Sequence, residues 1–193
     1  MNLSKKIQKI EESGTIAFTP LLEKLQAQNK KIIDFAVGEP DLPVPEQILE
    51  KTKQAIDENK TTYTNAAGMP QLRESITASL KKEGIDADSK NVLITNGSKQ
   101  ALFSVFQTLC NDGDEVIIPV PFWTTFSEQV KLASAQPVFV TTEKNHQLDI
   151  EKIKKTVSKK TKAIILNSPN NPTGAVYPES DLKAISDLAK ENN

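Results

Sequence analysis

Residues with specialised chemistry are scarce in this chain. Its 193 residues include one cysteine, one histidine, one arginine and one tryptophan. A single cysteine, Cys110, excludes an intramolecular disulfide framework and a cysteine-rich metal site, and it suits a reducing compartment. A single histidine, His146, excludes zinc chemistry that needs a pair of histidine ligands. We therefore predict no metal site.

Charge excess and long apolar runs are missing as well. There are 24 basic and 25 acidic residues, so the charge balance favours neither nucleic acid nor an anionic membrane as a partner. No run of about eighteen apolar residues occurs, and the first residues alternate charge with isoleucine instead of forming a signal core. We predict a cytoplasmic protein that binds a small polar ligand.

Secondary-structure patterns alternate along the chain. Four runs of branched apolar residues predict strands, namely NVLIT from residue 91, EVIIP from 115, PVFVT from 137 and KAIIL from 162. Helical patterns lie between these runs, and the segment from Ser98 to Cys110 is apolar nearly all round, which predicts a buried helix. The alternation indicates an α/β fold, a mostly parallel sheet covered by helices on both faces. Ligands of such folds bind at the carboxyl ends of the strands.

The loop TNGSK passes from a predicted strand into a helix through Gly97, Ser98 and Lys99. Free backbone N–H groups, a hydroxyl and the positive end of the helix dipole make this segment suited to an anion such as a phosphate. The alternative is an ordinary glycine turn with a serine cap. Neither a Walker loop nor a G-x-G-x-x-G fingerprint occurs in the sequence.

Two further loops follow predicted strands. Trp123, in PVPFW, would stack on a flat aromatic ligand or simply pack against the core. In NSPNNPTGAVY, Pro169 and Pro172 restrict the backbone on both sides of Asn171 and would fix its amide for recognition. The alternative is a strand stop before a helix that begins near Pro178.

Some other residues carry weaker signals. Gly38, in FAVGEPD, would let a ligand carboxylate approach the backbone, and Tyr63 would donate to a phosphate or merely pack. Arg73 lies on a helix, where we expect an exposed partner for a nearby carboxylate.

These motifs together, in this order and at these separations, resemble class I pyridoxal-phosphate aminotransferases of fold type I, above all the aspartate aminotransferase group. The resemblance runs from about residue 14 onward. It implies that Gly97, Ser98 and Lys99 hold the cofactor phosphate and that Trp123 stacks on the pyridine ring. It also implies that Asn171 binds the phenolic oxygen of the cofactor and, with Gly38 and Trp123, helps to bind the substrate.

The resemblance implies further features. Tyr63 would reach the phosphate in the neighbouring subunit of a homodimer, and the Val120–Pro121 and Asn171–Pro172 bonds would be cis. Residues 1–45 would form an N-terminal arm and a small-domain segment, and residues 46–193 the first part of the large cofactor-binding domain. We interpret the chain as an N-terminal fragment.

The resemblance also places several catalytic residues of the family beyond residue 193. They are the Schiff-base lysine, the aspartate that pairs with the pyridine nitrogen and the arginine that binds the α-carboxylate. We therefore name no catalytic residue within this chain, and we expect the chain alone to be inactive. The predicted activity of the family is transamination between an amino acid, with an aspartate-like one favoured, and a 2-oxo acid. The alternatives are a carbon–sulfur lyase or elimination enzyme on the same scaffold, and a non-catalytic fragment.

Overall fold

The computed structural model describes residues 2–11, 17–33, 38 and 40–192. They form two compact units. The first comprises residues 1–30 and 98–193, and the second comprises residues 31–97. The domain boundary predicted after residue 45 stays a prediction.

The sheet of the first unit has three parallel strands in the order β2–β1–β3. They are β1 (Glu115–Val120), β2 (Gln136–Thr141) and β3 (Thr161–Ile164). Strand β1 pairs with β2 in one continuous register, whereas its pairing with β3 is irregular between Glu115 and Val116. The predicted strands at 115, 137 and 162 are confirmed, and so is the parallel arrangement.

Seven helices occur in the described part of the chain, together with short 3-10 turns at Ile7–Lys9 and Ser89–Asn91. In chain order they are α1 (Thr19–Ala27), α2 (Glu46–Asp57), α3 (Pro70–Lys82), α4 (Gly97–Leu109), α5 (Thr125–Leu132), α6 (Ile150–Thr156) and α7 (Glu179–Glu191).

Helices cover both faces of β1. On one face Val116 and Ile118 pack in a cluster with residues of α4 and α5, among them Phe106 and Val130. On the other face Ile117 packs in a cluster with residues of α6 and α7. Side chains alternate between the faces of a strand, so three consecutive apolar residues supply both layers. Full burial of each such side chain contributes about 1.5–3 kcal/mol, which makes β1 the centre of the core.

The segment NVLIT differs from its prediction, because the structure shows no strand there. Val92 has extended backbone angles, φ −107° and ψ 125°. The Ile94 N–H donates to the carbonyl of Ala67, a turn residue, at 3.0 Å. A strand requires a ladder of hydrogen bonds to a neighbouring strand, and no described residue supplies one to this segment. The predicted strand is therefore wrong, although Val92 has extended backbone angles.

Helix α4 is less buried than its composition predicts. Phe106 is buried, but Phe103, Val105 and Leu109 are each more than two fifths exposed. A helix with apolar residues on all sides is expected to be covered by other parts of the protein on all sides. Within the described residues, cover is present only on the side that faces β1 and α5. The prediction of a buried helix is thus correct for one face and wrong for the other.

The unit of residues 31–97 contains α2 and α3. Arg73 of α3 donates from Nε and Nη2 to the backbone carbonyl of Ser89, at 2.9 and 2.7 Å. It ties α3 to the 3-10 turn, so the predicted role as an exposed partner of a carboxylate is wrong. Gly68 has a φ of +100°, and a Cβ there would lie 2.2 Å from the Ile94 side chain. None of the described residues of this unit is buried.

An ion pair within α5 generates a prediction about acid stability. Glu128 and Lys131 lie 2.9 Å apart, with side chains 21% and 20% exposed. Burial acts to raise the pKa of Glu128, but hydrogen bonds from Lys131, from the Glu11 N–H and from Ser127 outweigh it. The pKa therefore lies below its ordinary value of 4.5. A lowered carboxyl pKa contributes stability that is complete above the unfolded-state pKa and is lost as pH falls through the folded-state pKa.

We expect Glu128→Gln to lower the free energy of unfolding at neutral pH, and we expect this difference from wild type to shrink as the pH falls below about 4.5. Urea unfolding from neutral pH to about pH 3 measures it. Glu151→Gln is the control, because Glu151 pairs with Lys154 at the surface and is 72% exposed. A difference that stayed constant with pH would contradict the prediction.

Candidate functional site

The start of α4 offers backbone N–H groups to a ligand. Gly97 has a φ of +76°, a left-handed conformation that glycine adopts without steric cost, and it turns the chain into the helix. Ser98 and Lys99 follow in the first turn, and both are exposed. The first N–H groups of a helix lack intrahelical acceptors and carry the positive end of its dipole. This segment can therefore bind an anion.

Trp123 lies in the loop between β1 and α5, and it is half-buried. Its ring forms a T-shaped contact with Phe126, with centroids 5.5 Å apart and planes at 82°. The Lys99 Nζ lies over the indole at 5.3 Å from its centroid, which is a cation–π contact. The structure thus brings together the predicted anion-binding segment and the predicted stacking residue.

The loop that follows β3 contains two adjacent asparagines with different surroundings. Asn170 is buried, and its Oδ1 accepts hydrogen bonds from the N–H and hydroxyl of Thr173 at 3.3 and 3.0 Å. Asn171 is exposed, and its backbone N–H donates to the Oδ1 of Asn167 at 2.8 Å. The buried asparagine organises the loop, and the exposed one presents its amide to solvent. Sequence reasoning missed Asn170, because an N-N pair does not show which amide is turned inward.

Three X-Pro bonds of these loops are cis: Val120–Pro121, Ser168–Pro169 and Asn171–Pro172. The two cis bonds that the family resemblance implied are confirmed. The bond before Pro169 was not predicted.

A small cavity connects the loops after β1 and β3. Its lining comes from the carboxyl ends of both strands and from residues beyond them, namely Ile118, Pro119, Phe122, Phe126, Ile165, Asn167, Asn170 and Tyr177. Phe122 and Phe126 flank Trp123 in the chain, and Asn170 precedes Asn171. The loops that carry the two predicted ring-binding residues therefore border one space at the carboxyl edge of the sheet.

Tyr177 closes this cavity and is 4% exposed. Burial raises the pKa of its phenol, and a hydrogen bond from Asn170 opposes this effect in part. The phenol is therefore protonated at neutral pH, which suits packing and hydrogen bonding rather than proton transfer.

Besides Gly97, two predicted site residues lie in the unit of residues 31–97. Gly38 is exposed with open space around the position of a Cβ, and Tyr63 is fully exposed. Val37 and Glu39 of the VGEPD motif lie outside the described residues. The roles of Gly38 and Tyr63 stay predictions, as do the ligand contacts of the other site residues.

The described residues contain neither a metal-binding cluster nor a membrane-spanning helix. No group of three or more histidine, cysteine, aspartate or glutamate side chains there could hold a metal ion. No helix in the described part of the chain is both long and apolar enough to cross a membrane.

Comparison with known proteins identifies the family. Residues 30–193 match the aminotransferase class I and II family. The chain is 39% identical over 191 residues to an aspartate aminotransferase of Geobacillus stearothermophilus, across 97% of this chain and 49% of that protein. It is 39% identical over 192 residues to a probable aspartate/prephenate aminotransferase of Aquifex aeolicus, across 98% and 49%.

Solved structures agree with this match. The structure of Thermus thermophilus aspartate aminotransferase with maleate superposes with a TM-score of 0.95 at 36% identity, covering 100% of this chain and 51% of that one. An alanine aminotransferase of Pyrococcus furiosus superposes with a TM-score of 0.94 at 31% identity, covering 99% and 50%. The chain belongs to the class I and II aminotransferases, and its α/β fold with a parallel sheet is that of the family. It spans about half the length of the relatives it matches.

The different burial of Asn170 and Asn171 generates a prediction about stability, in which the exposed Asn171 serves as the control. We expect Asn170→Ala to lower the free energy of unfolding by about 1–3 kcal/mol, because it removes a buried acceptor that pairs two donors of Thr173. Asn171→Ala changes an exposed side chain and should alter stability by less than about 0.5 kcal/mol. Urea unfolding of both variants measures the difference. Equal effects of the two substitutions would show that Asn170 does not organise the loop.

Proposed function

We propose that this chain forms part of the cofactor site of a pyridoxal-phosphate-dependent aminotransferase that acts on an aspartate-like amino acid and a 2-oxo acid. One observation carries the proposal: the Lys99 ammonium lies 5.3 Å from the centroid of the Trp123 ring. This contact joins the positive start of α4 to an aromatic face. Pyridoxal phosphate requires the same pair of features, a site for a phosphate dianion beside a surface for a flat ring.

The residues present fit this cofactor by their chemistry. Ser98 and the first N–H groups of α4 would bind the phosphate, and Lys99 would add positive charge beside it. Trp123 would hold the pyridine ring, and the exposed amide of Asn171 would donate to its phenolic oxygen. When bound, the cofactor supplies the electron sink for proton removal from the amino acid. The contribution of this chain is to bind and orient the cofactor. We assign proton transfer to none of the described residues near these loops.

The substrate class is proposed from the relatives and from charge. Several relatives are named as aspartate or aspartate/prephenate aminotransferases, which favours a dicarboxylic donor. The exposed ammonium of Lys99 is compatible with a second anionic group near the ring. A structure of comparable similarity bears the name alanine aminotransferase, so the fold alone does not select the amino acid.

We also propose that the full-length protein is a homodimer in which Tyr63 completes the phosphate site of the neighbouring subunit. The complete exposure of the Tyr63 side chain supports this role, because a phenol that serves another subunit is free of contacts in its own.

The cofactor site is tested with pyridoxine 5′-phosphate and pyridoxine. Both lack the aldehyde, so they do not react with the many lysines of the chain. Trp123 is the only tryptophan, so its fluorescence reports on this loop alone. We expect the phosphate form to quench this fluorescence at a lower concentration than pyridoxine. We expect Ser98→Ala to weaken binding of the phosphate form about tenfold or more, since hydrogen bonds to charged groups contribute about 1.5–3 kcal/mol.

Ser180→Ala is the matched control, because Ser180 also lies exposed in the first turn of a helix. We expect it to change neither affinity. Equal affinities of wild type for the two compounds would contradict a phosphate site at α4.

Transamination itself is tested with the full-length protein. We expect aspartate to yield its 2-oxo acid over many turnovers only when a 2-oxo acid acceptor is added, and at most one equivalent per cofactor without it. Repeated formation of a 2-oxo acid and ammonia without an acceptor, from an amino acid with a sulfur leaving group on its β-carbon, would instead indicate an elimination or carbon–sulfur lyase reaction. Cofactor binding without either product would indicate a non-catalytic role.

A further inference from the structure

A buried amide connects the two helices that frame the proposed site. Gln129 of α5 is 8% exposed, and its Nε2 donates to the backbone carbonyl of Lys99 at 2.8 Å. Lys99 lies in the first turn of α4, thirty residues earlier in the chain. The hydrogen bond thus fixes the position of the first turn of α4 relative to α5.

The other end of the same amide is unpaired. The Oε1 of Gln129 is inaccessible to solvent and has no hydrogen-bond partner among the described residues. Reversing the amide would bring this oxygen against the Lys99 carbonyl, so the recorded orientation is the favourable one. A buried acceptor without a partner lowers stability. An apolar side chain of similar volume would fill the same space without this loss, so stability alone gives no reason for a glutamine here.

The position of Gln129 suggests what the amide does instead. Trp123 lies just before α5, and its backbone carbonyl accepts from the N–H of Phe126 at 2.9 Å, which joins the tryptophan to the helix. Phe126 and Val130 anchor the same helix in the core. Helix α5 therefore fixes the position of Trp123. The hydrogen bond from Gln129 connects the same helix to the first turn of α4.

We propose that Gln129 is a positioning residue, which sets the anion-binding first turn of α4 at the correct place beside the Trp123 ring. The proposal rests on the cofactor site proposed above. Gln129 touches the backbone of Lys99 and acts through it, by restricting the first turn to one position before a ligand binds. A preorganised site binds more tightly because less ordering remains to be done on binding.

Gln129→Met tests this role, because methionine keeps the length of the side chain and removes both amide groups. The measurement is again quenching of Trp123 fluorescence by pyridoxine 5′-phosphate and by pyridoxine. We expect affinity for the phosphate form to fall about fivefold to tenfold, the size of one lost hydrogen bond. Affinity for pyridoxine should stay unchanged. Resistance to urea should equal or exceed that of wild type, because the unpaired oxygen is gone.

Gln147→Met is the matched control. Gln147 also has a buried Oε1 without a partner, but it lies in the connection between β2 and α6. We expect this variant to bind both compounds as wild type does. If Gln129→Met proves less stable than wild type, Gln129→Leu is measured in the same way.

The outcomes separate this proposal from the one on which it rests. A wild-type chain that does not distinguish the two compounds would overturn both. A wild-type preference for the phosphate form that Gln129→Met leaves unchanged would overturn only the role of Gln129. A loss of stability in both Gln129 variants, or an equal loss of affinity for both compounds, would assign Gln129 a purely structural role and overturn the proposal.

Discussion

Burial of β1 on both faces is the constraint on which the site depends. Val116, Ile117 and Ile118 are at most 1% exposed, and they pack against helices on both faces of the sheet. Because β1 lies between β2 and β3 in a parallel sheet, the loops after β1 and β3 leave from the same edge. The small cavity bordered by both loops is the direct result of this topology. A shift of β1 by one residue would exchange its two apolar faces and would displace the loop after β1 relative to the loop after β3.

Polar residues around the site divide into two groups by burial. Asn170 and Gln129 are buried, and each hydrogen bonds to groups of the protein itself. Ser98, Lys99 and Asn171 are exposed and keep polar groups directed to solvent. The buried group fixes the backbone, which lowers the ordering that binding would otherwise require. In the proposed site, the exposed group would bind the phosphate and the ring substituent.

Much of this arrangement is predictable from the sequence. Branched apolar runs locate β1, β2 and β3, and the turn residues locate the loops at their ends. Lys99 and Trp123 were both predicted as site residues on loop chemistry and family resemblance, and the structure places them in contact. Local patterns suffice here because parallel pairing follows from alternating strands and helices, whereas the order β2–β1–β3 comes from the structure.

Other features depend on groups far apart in the chain, and local patterns do not contain them. The contact of Gln129 with Lys99 spans thirty residues and involves a backbone carbonyl, which any residue type offers. The segment NVLIT, which forms no strand, and the apolar surface of α4 show the same limit. Composition indicates that a segment is extended or that a face is apolar, but not which part of the chain pairs with it or covers it.

The chain resembles structures named for two different activities, so the fold it shares with them does not determine which amino acid is the substrate. Aspartate and alanine aminotransferase structures superpose on this chain almost equally well, with TM-scores of 0.95 and 0.94. The backbone shared with both structures therefore does not by itself select the amino acid. Selection between a charged and an apolar substrate side chain needs a difference in local charge, because a misplaced charge loses far more free energy than a change in shape. Within the loops described, Lys99 is an exposed cation beside Trp123, and an exposed side chain of this kind would supply such a difference without any change in the strands beneath it.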